Sequence, residues 1–247
     1  MDSKQRATWE AIYDKKNEEF LKNPPVGKDL LRWKYQRYVK EYCRTIRSVD
    51  EQVGRLLDYL EEKGVLDNTV IVYTSDQGFL LGEHGLYDKR FMYEESFRTP
   101  LIISCPSLVK KHSVSKEPGQ NIDLAPTFLS LAGVEVPKEM SGRSLLPLFK
   151  NGKAENWRNE LYYHFYDYPA VGGVRKNDGF RTKRYKLIHW YGEGSGNDEA
   201  IDFWELYDLK KDVMEVNNVY DNPKYVKVRE ALTVQLEKLR KDVGVTE

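Results

Sequence analysis

The sequence predicts an α/β fold that consists of a partial sheet layer followed by a small antiparallel sheet and a final helix. Helix-like and strand-like segments alternate between residues 29 and 134, which favours a layered α/β sheet. Short aromatic strand-like segments separated by turn residues then occupy residues 160–209, which is typical of antiparallel pairing. The chain therefore combines two kinds of sheet.

The first elements follow from periodicity and turn residues. Apolar residues recur every three or four positions over residues 29–63, which predicts one amphipathic helix ending at Gly64. The run TVIVYTS (69–75) predicts a buried strand, and TPLIISC (99–105) predicts a second one. NIDLAPTFLSLAGV (121–134) predicts a helix that ends near Gly133. Ligands of such a sheet bind beyond the carboxyl ends of its strands, where Asp76 lies.

A change in residue composition and pattern near residue 150 predicts a domain boundary. Residues 140–157 contain two glycines and a proline and read as a connection. We therefore expect residues 1–150 to form the α/β part, and residues 151–247 to form an antiparallel sheet with a last helix at about 223–243.

Composition limits the function classes. The 247 residues are 40% hydrophobic and 32% charged, with 39 Lys plus Arg against 39 Asp plus Glu. This balance excludes a global field that would draw the chain to nucleic acid or to an anionic membrane, so an anion site must be local. No apolar run approaches the length of a membrane span, and the first residues lack the apolar core of a secretion signal.

The loop between the two predicted strands is dense in charge: YTSDQGFLLGEHGLYDKRFMYEESFRTPLII, residues 73–103. Asp76 follows a buried strand, and Gln77 adds a neutral amide oxygen. This pair suits Ca²⁺ or Mg²⁺ better than zinc, because no His or Cys cluster adjoins it. The alternative is that Asp76 only caps a turn or the start of a helix.

Other residues of this loop suit an anionic ester. Lys89 is a compact charge for a tetrahedral oxyanion, and Arg90 offers a planar fork to a carboxylate or to sugar hydroxyl groups. His84 has glycine neighbours that would let its imidazole reach a leaving group as a general acid. The alternatives are a solvated charged turn and an exposed loop histidine.

These motifs resemble the C-terminal signature region of the type I sulfatases, the formylglycine-dependent sulfate ester hydrolases of the alkaline phosphatase superfamily. NIDLAPTFLSLAGV, SGRSLLPLF (141–149) and WELYDLKKD (204–212) are similar to later landmarks of that family, in the expected order. The resemblance spans essentially the whole chain and implies the C-terminal part of an alkaline phosphatase/sulfatase-like fold. SDQGFLLGEHG joined to DKRFMYEES looks like bacterial enzymes of the N-acetylglucosamine-6-sulfatase type, which act on glycosaminoglycan sugars.

The resemblance also implies roles for single residues. Asp76 and Gln77 would be Ca²⁺ ligands, with Mg²⁺ as the other hard cation. Lys89 would contact the sulfate, and His84 would lie at the substrate end of the site.

The sugar itself would have further contacts. Asp88 and Arg90 would hold its hydroxyl groups. In the aromatic segments after residue 160, His164 and Arg175 are the candidates for substrate contact, because aromatic and basic side chains suit sugar faces and anionic chains. Strands of this composition are more often core, which is the alternative for the neighbouring tyrosines.

The family's nucleophile is a formylglycine made in a Cys/Ser-x-Pro-Ser-Arg stretch, and the sequence contains no such stretch. We therefore expect the chain to be the C-terminal portion of a sulfatase that is inactive alone. Its partners would be the N-terminal half of the same enzyme and a sulfated carbohydrate, and the full-length protein would be periplasmic or extracellular. Two alternatives are a phosphate or phosphonate ester hydrolase of the same superfamily and a non-catalytic carbohydrate-binding accessory protein.

Overall fold

The computed structural model of the protein describes residues 1–168, 173–194 and 199–245. The chain divides into two units, residues 1–64 and residues 65–247. The boundary expected near residue 150 stays a prediction. In the described part of the chain, no helix is both long enough and apolar enough to cross a membrane.

The first unit is a pair of helices, α1 (Ser3–Lys22) and α2 (Gly27–Glu62). The sequence predicted α2 to within two residues at its start, but it did not predict α1. The side chain of Asp2 caps α1 by accepting a hydrogen bond from the Gln5 backbone N–H. Within the pair, the rings of Phe20 and Trp33 stack with centroids 4.2 Å apart.

The second unit begins with two strands that enclose the charged loop. β1 (Ile71–Thr74) precedes the charged loop, and β4 (Leu101–Ser104) follows it. The loop itself contains β2 (Leu80–Leu81), β3 (Tyr87–Asp88) and the single helical turn α3 (Glu94–Phe97). Both predicted strands are confirmed, but β1, which was expected to be buried, is only half-buried in this chain. β1 pairs with β4 in antiparallel register, as β2 does with β3. Because β1 and β4 run in opposite directions, their carboxyl ends lie at opposite ends of the pair, and Asp76 follows that of β1.

The helix predicted after β4 is confirmed as α4 (Leu124–Leu131), and the short α5 (Leu146–Phe149) follows it. The fully buried Asp123 connects this region to the later chain. It accepts hydrogen bonds from the backbone N–H of Arg143 at 2.8 Å and from Arg158 Nη2 at 2.7 Å. Gly142 is required here, since an added Cβ would lie 1.9 Å from the Ile122 carbonyl oxygen.

The predicted antiparallel sheet has four strands: β5 (Glu160–Phe165), β6 (Lys176–Thr182), β7 (Tyr185–Gly192) and β8 (Ile201–Asp208). They pair in chain order, each antiparallel to the next. A tight turn at Lys183 and Arg184 separates β6 from β7. The last helix, α6 (Val226–Asp242), is also confirmed.

The two faces of this sheet carry different partners. Leu187 of β7 packs in a core with Leu236 of α6, whereas Ile188 packs in a core with Met92 of the charged loop. Adjacent residues of a strand point to opposite faces, so the sheet is covered by α6 on one side and by the charged loop on the other. The C-terminal sheet therefore supports the loop that carries the predicted site.

Candidate functional site

The turn after β1 holds the two predicted cation ligands. Ser75 Oγ donates to the Gln77 carbonyl oxygen at 2.9 Å and contacts Asp76 Oδ1 at 3.2 Å. Asn121 Nδ2 donates to the carbonyl oxygens of Ser75 and Asp76, at 3.1 and 2.9 Å. Asp76 itself is exposed. Its backbone is therefore fixed from two directions, while its carboxylate faces outward.

The turn α3 fixes the chain that follows Gln77. The backbone N–H of Gly78 donates to the Ser96 carbonyl oxygen at 2.8 Å, and that of Phe79 donates to the Glu95 carbonyl oxygen at 2.6 Å. A Cβ on Gly78 would lie 2.1 Å from the Glu95 carbonyl oxygen. Only glycine permits this approach, which sets the position of the candidate cation turn relative to α3.

Asp76 and Gln77 fit part of a hard-cation site. A carboxylate and an amide oxygen are ligands that Ca²⁺ and Mg²⁺ accept, but Ca²⁺ takes roughly six to eight oxygens. Among the described residues there is no group of three or more His, Cys, Asp or Glu side chains that could hold a metal ion. A cation at this turn would therefore need further oxygens, from hydroxyl, amide or backbone groups, from water or from another polypeptide.

His84 occupies a strained and sheltered position. Its φ is 55°, in the one-turn helix Glu83–Gly85, a left-handed conformation that is uncommon for a residue other than glycine. The imidazole stacks on the Tyr93 ring with centroids 4.2 Å apart, and its Nε2 lies 3.6 Å from Glu95 Oε2. The side chain is 13% exposed, although the backbone is open to solvent. The alternative of an exposed loop histidine does not describe this ring.

Lys89 lies between two residues in left-handed conformations, Asp88 with φ 77° and Arg90 with φ 85°. These two neighbours pair with each other, since Arg90 Nη1 donates to Asp88 Oδ2 at 2.8 Å. Lys89 has no hydrogen bond or ion pair within the described part of the chain. Strained backbone of this kind concentrates at functional sites, and here it presents an ammonium group whose donors are uncommitted.

The loop is anchored to the C-terminal sheet through its backbone. The Tyr163 hydroxyl donates to the Arg90 carbonyl oxygen at 3.0 Å, and Asn177 Nδ2 approaches the same oxygen at 3.4 Å. Burial raises the pKa of Tyr163 to about 12, against the opposing charge of Arg90. The phenol therefore stays protonated at neutral pH and keeps its donor.

A buried charge network provides the second anchor. Lys186 of β7, which is fully buried, donates to the Met92 carbonyl oxygen at 2.7 Å, and its Nζ lies 2.9 Å from Glu94 Oε1 and 2.7 Å from Glu215 Oε1. Arg181 Nε also donates to Glu94 Oε1, at 2.8 Å. Burial alone would raise the pKa of Glu94, but the charges of Lys186 and Arg181 bring that pKa below its ordinary value. Glu94 is thus a carboxylate at neutral pH.

The remaining predicted residues lie on or beside the sheet. His164 Nε2 is hydrogen-bonded to the Tyr191 hydroxyl at 2.7 Å, within β5 and β7. The Arg175 guanidinium lies over the Tyr168 ring, 4.9 Å from its centroid. Arg175 also lines a cavity of about 220 Å³ together with Phe91, the neighbour of Arg90. The structure therefore brings Arg175 to the loop, whereas the contacts of His164 are with the sheet.

Three residues at the site were not predicted, namely Tyr93, Glu95 and Lys186. For Lys186 a signal was present, because it alternates with Ile188 and Trp190 on the buried face of a strand. A charge in such a position implies a buried partner. For Tyr93 and Glu95 the sequence offers no comparable signal, because their contact with His84 depends on the three-dimensional course of the loop.

Two family profiles match the chain. Residues 82–242 match the family described as N-sulphoglucosamine sulphohydrolase, C-terminal. Residues 3–134 match the family described as Sulfatase. Together these matches cover the charged loop and the C-terminal sheet.

Similar proteins agree with the profiles. An N-acetylglucosamine-6-O-sulfatase of Bacteroides thetaiotaomicron is 48% identical over 98% of this chain, and an N-acetylglucosamine-6-sulfatase of Bos taurus is 40% identical over 71% of it. A solved structure of a protein in complex with its substrate D-glucosamine-2-N,6-O-disulfate is 47% identical over 98% of this chain, with a TM-score of 0.89. This likeness confirms the predicted fold class. The chain spans 42% and 35% of the two relatives and 48% of the solved chain, so it corresponds to less than half of each.

Proposed function

Because this chain belongs to the sulfatase family, we propose that it is the C-terminal portion of a sulfuric ester hydrolase that removes sulfate from sulfated sugars. The proposed substrate class is 6-O-sulfated N-acetylglucosamine in glycosaminoglycans. It is supported by the name of the Bacteroides relative and by the sugar disulfate in the similar solved structure. Both of those proteins are longer than this chain.

One observation on this chain carries the proposal. Lys89 is uncommitted among the described residues, while the charges on either side of it, Asp88 and Arg90, neutralise each other. An ammonium group on a backbone held by Tyr163 and the Lys186 network is suited to a tetrahedral oxyanion. A merely solvated turn would not need this support.

In the proposed reaction, an oxygen nucleophile contributed by the portion outside this chain forms a bond to sulfur. The sulfur–oxygen bond to the sugar breaks, and its electron pair moves to the sugar oxygen. Lys89 would stabilise the negative charge on the sulfate oxygens, and His84 would give a proton to the departing sugar oxygen. Asp88 and Arg90 would hold sugar hydroxyl groups, and His164 and Arg175 would extend the contact to the substrate.

Asp76 and Gln77 would hold Ca²⁺ or Mg²⁺ as two of its ligands. A bound cation supplies further positive charge to the sulfate oxygens. The nucleophile, which the resemblance implies to be a formylglycine, would be contributed by the portion that the longer relatives possess. We accordingly propose that the chain is inactive alone and that the complete protein works in the periplasm or outside the cell.

The test is a chimera in which this chain replaces the matching part of the Bacteroides relative, expressed with a formylglycine-generating enzyme. Release of sulfate from 6-O-sulfated N-acetylglucosamine is expected, with none from the chain alone. Hydrolysis of a phosphonate ester without sulfate release would favour the phosphonate alternative. Binding of the sulfated sugar by the chimera without turnover of either ester would favour the accessory role.

A further inference from the structure

We propose that Glu95 is the positioning residue of His84: its buried carboxylate oxygen accepts the imidazole Nε2–H and so determines which ring nitrogen meets the substrate. The contact is a property of this chain, whereas its chemical consequence rests on the proposed function. No role for Glu95 followed from the sequence.

The first observation is an unsatisfied acceptor. Glu95 Oε2 is buried and has no hydrogen-bond partner within the described residues. It lies 3.6 Å from His84 Nε2, about 0.5 Å beyond a good N–H···O distance. A buried carboxylate oxygen without a donor costs free energy, so such an oxygen in a folded protein requires an explanation. A small closure of the pair satisfies it.

The second observation is that the surrounding contacts hold both Glu95 and His84 in place. The backbone of Glu95 accepts the N–H of Phe79, and the preceding Glu94 is held by Lys186. On the other side, the His84 ring stacks on Tyr93, whose hydroxyl donates to Glu205 at 3.1 Å. The ring plane is therefore defined by the sheet, and its edge faces Glu95.

The third observation is the backbone of His84. A left-handed conformation is uncommon at a residue other than glycine, and where it occurs at functional sites the surrounding structure holds it. The flanking Gly82 and Gly85 also have positive φ, 121° and 73°. This uncommon backbone conformation places the His84 imidazole between the Tyr93 ring and the Glu95 carboxylate.

This geometry assigns different tasks to the two ring nitrogens. With Nε2–H given to Glu95, Nδ1 is the nitrogen available to the substrate. In the imidazolium form, Nδ1–H would pass its proton to the sugar oxygen as that oxygen takes the electron pair of the breaking sulfur–oxygen bond. Nε2–H stays on the ring, which becomes neutral. An orienting carboxylate behind a catalytic histidine has this general logic.

The contact itself is tested on the 247-residue chain by nitrogen-15 NMR of the histidine rings, with the His84 signals assigned by a His84→Gln variant. We expect the His84 Nε2–H to exchange slowly with water in the wild type. It should be retained in Glu95→Gln, whose amide oxygen can still accept, and lost in Glu95→Leu. Glu83→Gln, which removes the same charge beside His84, serves as the control and should leave the signal unchanged. An identical His84 signal in the wild type and Glu95→Leu would overturn the proposal.

The chemical consequence is tested in the chimera with two leaving groups. Glu95→Leu should lower kcat for 6-O-sulfated N-acetylglucosamine by about tenfold or more, with KM little changed. The loss should not exceed the roughly 10²–10⁴-fold that a general acid contributes in full. It should spare 4-nitrophenyl sulfate, because nitrophenolate departs without a proton. In a His84→Gln background, Glu95→Leu should have no further effect.

The outcomes separate the two proposals. Equal losses with both esters would indicate structural damage and would overturn the positioning role. A chimera that hydrolyses neither ester would overturn the proposed function, while the NMR result would still decide whether Glu95 holds His84.

Discussion

The ammonium of Lys186, fully buried in the C-terminal sheet, lies 2.9 Å from the carboxylate of Glu94 in the charged loop. Through this contact the sheet fixes the turn that carries the candidate site. Glu94 begins α3, whose backbone accepts hydrogen bonds from Gly78 and Phe79. The position of the candidate cation turn thus depends on a lysine that follows it by more than a hundred residues.

Replacing Lys186 with Met should therefore strongly lower the free energy of unfolding. Removing one partner of a buried ion pair costs about 3–5 kcal/mol. Here the buried Glu215 carboxylate would lose Lys186 as its counter-charge, and Glu94 would keep only Arg181. Urea denaturation of the chain measures this loss of unfolding free energy. Lys183→Met, which breaks a half-exposed ion pair with Glu117, is the matched control and should cost little. Equal effects of the two substitutions would contradict the importance assigned to the buried network.

Stability should also depend on the protonation of Glu94. Its pKa in the folded chain lies below the ordinary value of 4.5, so folding favours the charged form. The corresponding stability is present above pH 4.5 and is lost as the pH falls through the lowered pKa. Urea denaturation at a series of acidic pH values should show a flatter profile in Glu94→Gln than in the wild type. Glu135→Gln, at an exposed position, should keep the wild-type profile.

Gly78→Ala should destabilise the chain by about 1–3 kcal/mol, since the new Cβ meets backbone atoms that cannot move aside independently. The nearest is the Glu95 carbonyl oxygen at 2.1 Å. Gly54→Ala is the contrasting control, because its Cβ in α2 would have no neighbour within 4 Å. That substitution should stabilise the helix by about 0.5–1 kcal/mol. Thermal unfolding of both variants, followed by circular dichroism, gives the comparison.

Lys89→Ala in the chimera should reduce kcat/KM by an amount equivalent to about 3 kcal/mol of transition-state stabilisation, similar to the loss of one preorganised electrostatic group. Initial rates of sulfate release measure the effect. Lys111→Ala, at an exposed position outside the charged loop, should leave the rate unchanged. A Lys89 variant within about twofold of the wild type would remove this residue from the site.

Cation binding should distinguish the chain from the complete protein. With only Asp76 and Gln77 as ligands, the isolated chain should bind Ca²⁺ more weakly than the roughly 10⁻⁴–10⁻³ M of open extracellular sites. Isothermal titration calorimetry should detect tighter binding by the chimera, and Asp76→Asn should weaken it. Tight binding by the chain alone would mean that the remaining ligands lie within these residues after all.

Most elements of the fold were predictable because hydrophobic periodicity is a local property of the chain. The stretch 29–63 has a helical period, and the runs beginning at Thr69 and Thr99 are rich in β-branched residues. The structure confirms them as α2, β1 and β4. The antiparallel pairing of β1 with β4 was not predicted, because pairing direction depends on how the intervening loop returns.

The candidate site was predictable in its chemistry more than in its arrangement. Residue types alone indicated Asp76 and Gln77 for a hard cation and Lys89 for an oxyanion. The predicted sugar contacts Asp88 and Arg90 proved to be a mutual ion pair. Their roles in a reaction stay predictions until the variants above are measured.

By itself, the sequence predicted α2, β1, β4, α4, the antiparallel C-terminal sheet and α6. It also indicated the charged loop as the candidate site and the resemblance to the sulfatases. Only the tertiary structure decided which charges meet. The Lys186 ammonium reaches the Met92 carbonyl oxygen across 94 positions, and the Glu94 N–H reaches Glu215 across 121. The physical reason is that periodicity and propensity act within a few residues, whereas buried ion pairs form between segments that the packing of the sheet brings together.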